Sequence, residues 1–98
     1  MHLISRKALI DFWKIHRDAE VPLRSWAKAI TRRPFANLTE LKAVFGSVDY
    51  VPVRHGLHVF NIGGNKYRLI TAIHFNRQKI YVRNVLTHAD YSKGEWIK

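Results

Sequence analysis

The stretch NIGGNKYRLI, from Asn61 to Ile70, decides the fold because it joins a double glycine to an alternating run of polar and apolar residues. Nucleotide-binding loops need other spacings, either Gly-x4-Gly-Lys-Ser/Thr or three spaced glycines between a strand and a helix. Here the glycines are followed by a strand pattern. We therefore expect a β-hairpin in which Gly63, Gly64 or Asn65 supplies a positive φ.

The sequence around this hairpin keeps a period of two. β-Branched and aromatic residues alternate with polar ones from Tyr50 onward, and RHG, GGN and NRQ interrupt them with turn chemistry. The pattern predicts four strands in meander order, at about 49–54, 57–62, 66–75 and 79–86. The connections are too short for crossovers, so neighbouring strands should be antiparallel.

The first half of the chain has helical spacing instead. An apolar stripe indicates a first helix with Ser5 as its N-cap, and Met1 to Ile4 is a candidate edge strand before it. The stripe consists of Leu9, Phe12, Trp13 and His16.

A second helix and a short capped turn are predicted before the strands begin. The second opens at Pro22 and places Leu23, Trp26, Ala27 and Ile30 on one face. Asn37 and Glu40 have the spacing of a capping box, which opens a short turn that ends at Gly46.

These elements predict one α+β domain over residues 1–98. Two to three N-terminal helices should pack on one face of a four-stranded, mainly antiparallel sheet. Strict alternation turns Tyr67 and Leu69 toward the helices. It leaves an open face that carries Lys66, Arg68, Tyr81 and Arg83.

Charge indicates the kind of partner. The chain has 17 Lys and Arg against 7 Asp and Glu, a net charge of +10. Such an excess repels itself unless a polyanion neutralises it, so nucleic acid is the leading partner and an acidic protein is the alternative. Charge does not tell whether the nucleic acid is cut or only held.

Several classes of protein are disfavoured. Cysteine is absent, which excludes disulfides and thiolate metal sites and favours the cytoplasm. We expect no signal peptide and no membrane segment, because no apolar run is long enough. His55 and His58 lack a third ligand nearby, and the carboxylates are too scattered for a two-metal nuclease.

RNA can still be cut without metal, because it carries its own nucleophile. A base removes the 2′-hydroxyl proton, cations stabilise the transition state, and an acid protonates the leaving 5′-oxygen. Lys, Arg, His and Tyr can supply these roles. His88 is a candidate, although a turn histidine bonded to backbone fits the sequence as well.

Several segments resemble the HigB family of toxins, a branch of the RelE superfamily of type II toxin–antitoxin systems. They are VFNIGGNKYRLI, IYVR and VLTHADY with a Trp soon after, together with ISRKALIDFW and LKAVF nearer the N-terminus. The likeness covers nearly the whole chain. It implies a RelE-like fold and a metal-independent mRNA interferase that cuts messenger RNA on the ribosome and inhibits translation. It also implies a HigA-type helix-turn-helix antitoxin as partner, a cytoplasmic location and no small-molecule cofactor.

The resemblance also implies site residues. It gives catalytic roles to Arg68, Arg83, His88 and Tyr91, and RNA contact to Asn65. Lys66 and Tyr81 join the RNA-binding set by their predicted face. The arginines would grip the scissile phosphate, whereas the acid and base roles of His88, Tyr91 and Lys66 stay open. The alternatives are a solvated basic face or a non-catalytic RNA- or ribosome-binding module of the same fold.

Overall fold

The computed structural model describes residues 1–97, which form four α-helices and a five-stranded sheet with short 3-10 turns between them. The helices are α1 (Arg6–Ile15), α2 (Glu20–Thr31), α3 (Leu38–Val44) and α4 (His88–Ser92). The strands are β1 (His2–Ile4), β2 (Asp49–Val51), β3 (Leu57–Ile62), β4 (Tyr67–His74) and β5 (Lys79–Thr87).

The sheet is mixed, with strand order β1-β5-β4-β3-β2. β2 to β5 form the predicted antiparallel meander, and β1 adds a fifth strand that runs parallel to β5. The candidate edge strand at the N-terminus therefore exists, whereas the predicted count of four strands is too low. Local periodicity cannot reveal this pairing, because β1 and β5 stand at opposite ends of the sequence.

The predicted strand bounds are close for three strands. β3 matches its prediction, β4 is one residue shorter than predicted at each end, and β5 is one residue longer at its end. β2 ends at Val51 and not at residue 54, because the chain turns through Arg54 and His55 with φ of 50° and 69°. Gly63 and Gly64 supply the positive φ that the hairpin before β4 requires.

The helices begin close to their predicted starts, with two differences. Ser5 precedes α1, but its side chain makes no capping hydrogen bond and its φ is 78°. A 3-10 turn at Arg17–Ala19 leads into α2, which therefore begins at Glu20, and Pro22 lies inside its first turn. The capping box of α3 is confirmed: the amide of Glu40 donates to Asn37 Oδ1 at 3.0 Å, and Glu40 accepts from the amide of Ala36.

Apolar side chains fill both faces of the sheet. The larger cluster lies between the sheet and the helices, and it buries the predicted face of α2, which is Leu23, Trp26, Ala27 and Ile30. A second cluster of Leu57, Val59 and Ile70 lies on the opposite face. Tyr91 and Trp96, from the segment after β5, pack on this second cluster. The face that was predicted to be open is therefore partly apolar and partly covered.

None of the helices formed by residues 1–97 has both the length and the apolar composition that a bilayer crossing requires.

Candidate functional site

Arg68 lies near the start of β4, on the sheet face opposite α1 to α3. Its Nη1 donates to the carbonyl oxygens of Asn65 and Tyr67 at 3.3 and 3.2 Å, and its Nη2 approaches Asn65 Oδ1 at 3.4 Å. The guanidinium carbon also lies 5.4 Å from the centre of the Tyr91 ring. These contacts orient the cation and leave guanidinium N–H groups that can bind an external anion.

Tyr91 belongs to a short helix that is capped at its start. The Thr87 hydroxyl accepts from the amide of Asp90 at 3.1 Å, as an N-cap residue does. Tyr91 stacks on Trp96 with the ring centres 5.0 Å apart and 15° between the planes, and Trp96 Nε1 donates to the carbonyl of Tyr91. Arg68, Tyr91 and Trp96 therefore form one continuous stack.

His88 begins the same helix, beside the β3–β4 hairpin. Its amide donates to the carbonyl of Lys66 at 3.0 Å, which ties the start of α4 to the turn that precedes Arg68. The imidazole is exposed. Because it is exposed, the ring is accessible to a substrate.

Arg83 lies on the open face as predicted, at a β-bulge that also turns Asn84 to this face. Ile70 pairs with Asn84 and Thr71 pairs with Val82, so Arg83 is the extra residue in β5. Arg83 and Asn84 then line the same pocket. The predicted strict alternation is wrong beyond this point, because Val85 packs with the helix-side cluster and Leu86 with the open-face cluster.

The pocket beside Arg83 has a volume of about 340 Å³. Its lining combines two strands, the β2–β3 turn and the C-terminal segment, and consists of Arg54, His55, Leu57, Arg83, Asn84 and Trp96. No carboxylate belongs to this lining, as far as residues 1–97 define it. Arg54, His55, Asn84 and Trp96 were not among the predicted site residues. In the sequence, the RHG turn next to a predicted strand was the feature that could have identified Arg54 and His55 as site residues.

Alternation predicts that Lys66 shares the open face with Arg68, and this prediction is wrong. It lies in the turn before β4, and its Nζ pairs with Asp18 Oδ2 at 2.8 Å in the 3-10 turn between α1 and α2. The hydroxyl of Tyr67 donates to the same carboxylate. The bond from Lys66 and that from Tyr67 lower the pKa of Asp18, and the bond to Asp18 raises the pKa of Tyr67.

Tyr81 lies on the expected face but far from Arg68. Its partner in β4 is Ala72, four residues beyond Arg68, which is about 13 Å along a strand. Its ring packs edge-on against His74 at a centre distance of 5.4 Å. Tyr81 is therefore separate from the stack of Arg68, Tyr91 and Trp96.

Metal ligation finds little support in these side chains. Across residues 1–97, no group of three or more His, Cys, Asp or Glu side chains is placed to hold an ion. His55 and His58 also diverge, since His55 is exposed and His58 is buried beside Tyr50 and Phe75. Burial lowers the pKa of His58, because it disfavours the charged imidazolium.

The helix layer, the mixed sheet and the cationic open face together define a small, basic α+β protein. A family model described as HigB_toxin, RelE-like toxic component of a toxin-antitoxin system, matches residues 19–94. The chain is 37% identical over 91 residues to the mRNA interferase toxin HigB of Escherichia coli strain K12, covering 93% of this chain and 88% of that protein. It is 27% identical over 93 residues to the mRNA interferase HigB of Escherichia coli O6:H1, covering 95% of this chain and 90% of the relative.

The chain therefore belongs to the HigB toxin family, and the resemblance drawn from its motifs is confirmed.

Proposed function

We propose that this protein is an mRNA interferase, an endoribonuclease toxin that cuts messenger RNA and thereby inhibits translation. One observation carries the proposal beyond family membership. Arg68 is fixed by Asn65 and lies over Tyr91, and Tyr91 stacks on Trp96, which lines a pocket together with Arg83. The two guanidinium groups give the open face the donors that a phosphodiester requires. The chain's net charge of +10 favours the same substrate.

The chemistry proceeds without a metal, because RNA supplies the nucleophile. A base takes the proton of a 2′-hydroxyl, the 2′-oxygen attacks the adjacent phosphorus, and the bond to the 5′-oxygen breaks as an acid protonates that oxygen. Arg68 and Arg83 stabilise the charge that grows on the phosphorus oxygens. The exposed imidazole of His88 and the phenol of Tyr91 are the candidates for the two proton transfers.

The other predicted residues act around this centre. Asn65 orients Arg68 by accepting hydrogen bonds at its backbone oxygen and its side-chain oxygen. Its side chain is exposed and can contact the RNA. Lys66 stabilises the turn before β4 by its ion pair with Asp18, and it adds positive charge near the site. Tyr81 contacts RNA farther along the strand, away from the scissile phosphate.

We infer the biological setting from the family membership. The chain acts as one domain in the cytoplasm, cuts messenger RNA on the ribosome, and is neutralised by a HigA-type helix-turn-helix antitoxin. An adjacent short gene for a helix-turn-helix protein would support this pairing.

Expression without the antitoxin tests the function, with mapping of mRNA 5′ ends in the arrested cells. We expect new 5′ ends within messages. Arg83→Ala should lower the cleavage rate about 100-fold or more, because it removes a donor to the transition state. Arg77→Ala is the matched control, since Arg77 is exposed in the 3-10 turn at the far end of β4.

Full activity in folded Arg83→Ala would contradict the phosphate role of Arg83. Growth arrest with intact messages would instead identify a non-catalytic RNA- or ribosome-binding module of the same fold.

Chelation tests the metal-free mechanism. Ribosomes need magnesium, so the substrate should be a short single-stranded RNA cut in a purified assay. We expect the rate in excess EDTA to equal the rate with magnesium once ionic strength is matched, because the proposed roles belong to Arg, His and Tyr side chains. A rate that falls on chelation and returns with added magnesium would refute the mechanism.

A further inference from the structure

Three segments of the chain build the pocket beside Arg83: the β2–β3 turn, the bulge in β5 and the C-terminal segment. Arg54 and His55 both have positive φ, a conformation that is strained for residues other than glycine. The bulge in β5 turns both Arg83 and Asn84 toward the pocket. The C-terminal segment folds back over the sheet and adds Trp96. Their convergence on one cavity indicates a binding site.

We propose that this pocket binds one unpaired nucleobase of the RNA, stacked on Trp96, next to the phosphate that is cut. The inference rests on the proposed function and names a base-binding subsite for it. Base recognition of this kind selects the position of the cut, in addition to the phosphate contacts of Arg68.

Part of the Trp96 indole lines the pocket, where an unpaired base can stack on it. Tyr91 covers one face of its indole and does not line the pocket, and the bond from Nε1 to the Tyr91 carbonyl fixes the orientation of the ring. The indole is half-buried, so part of its surface faces the cavity. Proteins bind unpaired bases by stacking them on aromatic rings in this way.

The polar groups around Trp96 match a nucleotide and not an apolar ligand. The amide of Asn84 offers both donors and an acceptor to a base edge. Arg54 and Arg83 flank the cavity and can contact the adjoining phosphates. A volume of about 340 Å³ lies within the range of small-ligand clefts and accommodates a single base.

The turn that carries Arg54 and His55 is fixed in shape. The Gly56 amide donates to the carbonyl of Val53 at 2.9 Å. A Cβ at Gly56 would stand 2.7 Å from the hydroxyl of Tyr50, so the ring of Tyr50 packs where only glycine fits. These two contacts hold the backbone on this side of the cavity.

The test measures binding separately from cleavage. A fluorescently labelled single-stranded RNA with 2′-O-methyl groups at every position resists attack by its own 2′-oxygens, so anisotropy reports binding alone. We expect Trp96→Ala to weaken binding about tenfold or more, because it removes the stacking platform. Trp96→Phe should keep most of the affinity. Trp13→Phe, which alters an indole between α1 and α2, is the matched control and should bind as the wild type does.

Asn84→Ala provides a second variant with little risk to the fold, since the side chain is exposed. It should change the distribution of cut sites in a mixed RNA pool, because the amide that contacts the base edge is removed. Thermal unfolding of each variant confirms that it is folded.

The outcomes separate this inference from the proposed function. Folded Trp96→Ala and Asn84→Ala that bind and cut RNA at wild-type positions would overturn the base pocket and leave the nuclease intact. RNA binding that depends on Trp96, without any cleavage, would retain the pocket and refute the nuclease. Free nucleoside monophosphates that bind more tightly than the RNA would overturn the proposal in favour of a small-nucleotide site.

Discussion

Asp18 links the N-terminal helices to the hairpin that carries Arg68. Its carboxylate accepts from Lys66 and from Tyr67, which stand on either side of the point where β4 begins. The next residue in the chain is Arg68, whose donors return to Asn65 and Tyr67. Asp18 therefore stabilises the turn that positions the guanidinium without touching the substrate itself.

Asp18→Asn should lower the melting temperature at neutral pH by a few degrees. The hydrogen bonds from Lys66 and Tyr67 hold the pKa of Asp18 in the folded protein below its ordinary value of 3.8, so the charged form stabilises the fold. This contribution is present above pH 3.8 and is lost as pH falls through the lower, folded-state pKa. The difference between wild type and variant in thermal unfolding should therefore disappear in acid.

Asp11→Asn is the control for this prediction. Asp11 pairs with Lys7 at 2.7 Å, and its pKa is also lowered, but this partner belongs to α1 and not to the hairpin. Both variants should lose some stability. Only Asp18→Asn should increase amide exchange in the β3–β4 turn, and equal exchange in the two variants would argue against the positioning role.

The β2–β3 turn is held by the contact between Gly56 and the ring of Tyr50. Gly56 has a φ of 94° and lies against the ring of Tyr50, while Arg54 and His55 keep positive φ before it. The turn places two side chains at the pocket that the strands alone would not supply.

Gly56→Ala should destabilise the protein by roughly 1–3 kcal/mol, because alanine disfavours this φ and its Cβ meets Tyr50. Gly46→Ala is the matched control, since a Cβ there meets nothing within 4 Å. Urea unfolding measures both. An effect of equal size at the two positions would show that the Tyr50 contact is not responsible.

Across the whole molecule, the helix layer and the open face of the sheet have different roles. The helix-side cluster supplies most of the buried apolar side chains. The opposite face carries the smaller cluster, the stack of Arg68, Tyr91 and Trp96, and the pocket. One face thus supports the fold, and the other presents cations on a rigid surface.

RNA affinity should fall steeply with salt. If Arg54, Arg68 and Arg83 each neutralise one phosphate, the logarithm of the binding constant should fall with the logarithm of salt with a slope of roughly −2, from about −0.7 for each contact. Arg54→Ala should reduce the slope by one contact, whereas Lys42→Ala on the exposed part of α3 should leave it unchanged. Titrations between low and physiological salt measure the slope, and a flat response would exclude phosphate-based binding.

The sequence by itself determined the features that depend on neighbouring residues. Gly63 and Gly64 specify the hairpin because they alone tolerate its φ at no steric cost, and Asn37 with Glu40 specifies the start of α3. The period of two located β3 to β5, and the basic residues indicated a polyanion.

Only the tertiary structure decided the remaining features, because they depend on contacts between distant parts of the chain. β1 pairs with β5 from the other end of the sequence, and Lys66 leaves the open face because Asp18, 48 residues earlier, offers a carboxylate. The bulge at Arg83 breaks the alternation that a local pattern assumes. The aromatic side chains of the C-terminal segment pack on Leu57, Val59 and Ile70. This packing brings Trp96 to the pocket, where it meets the β2–β3 turn.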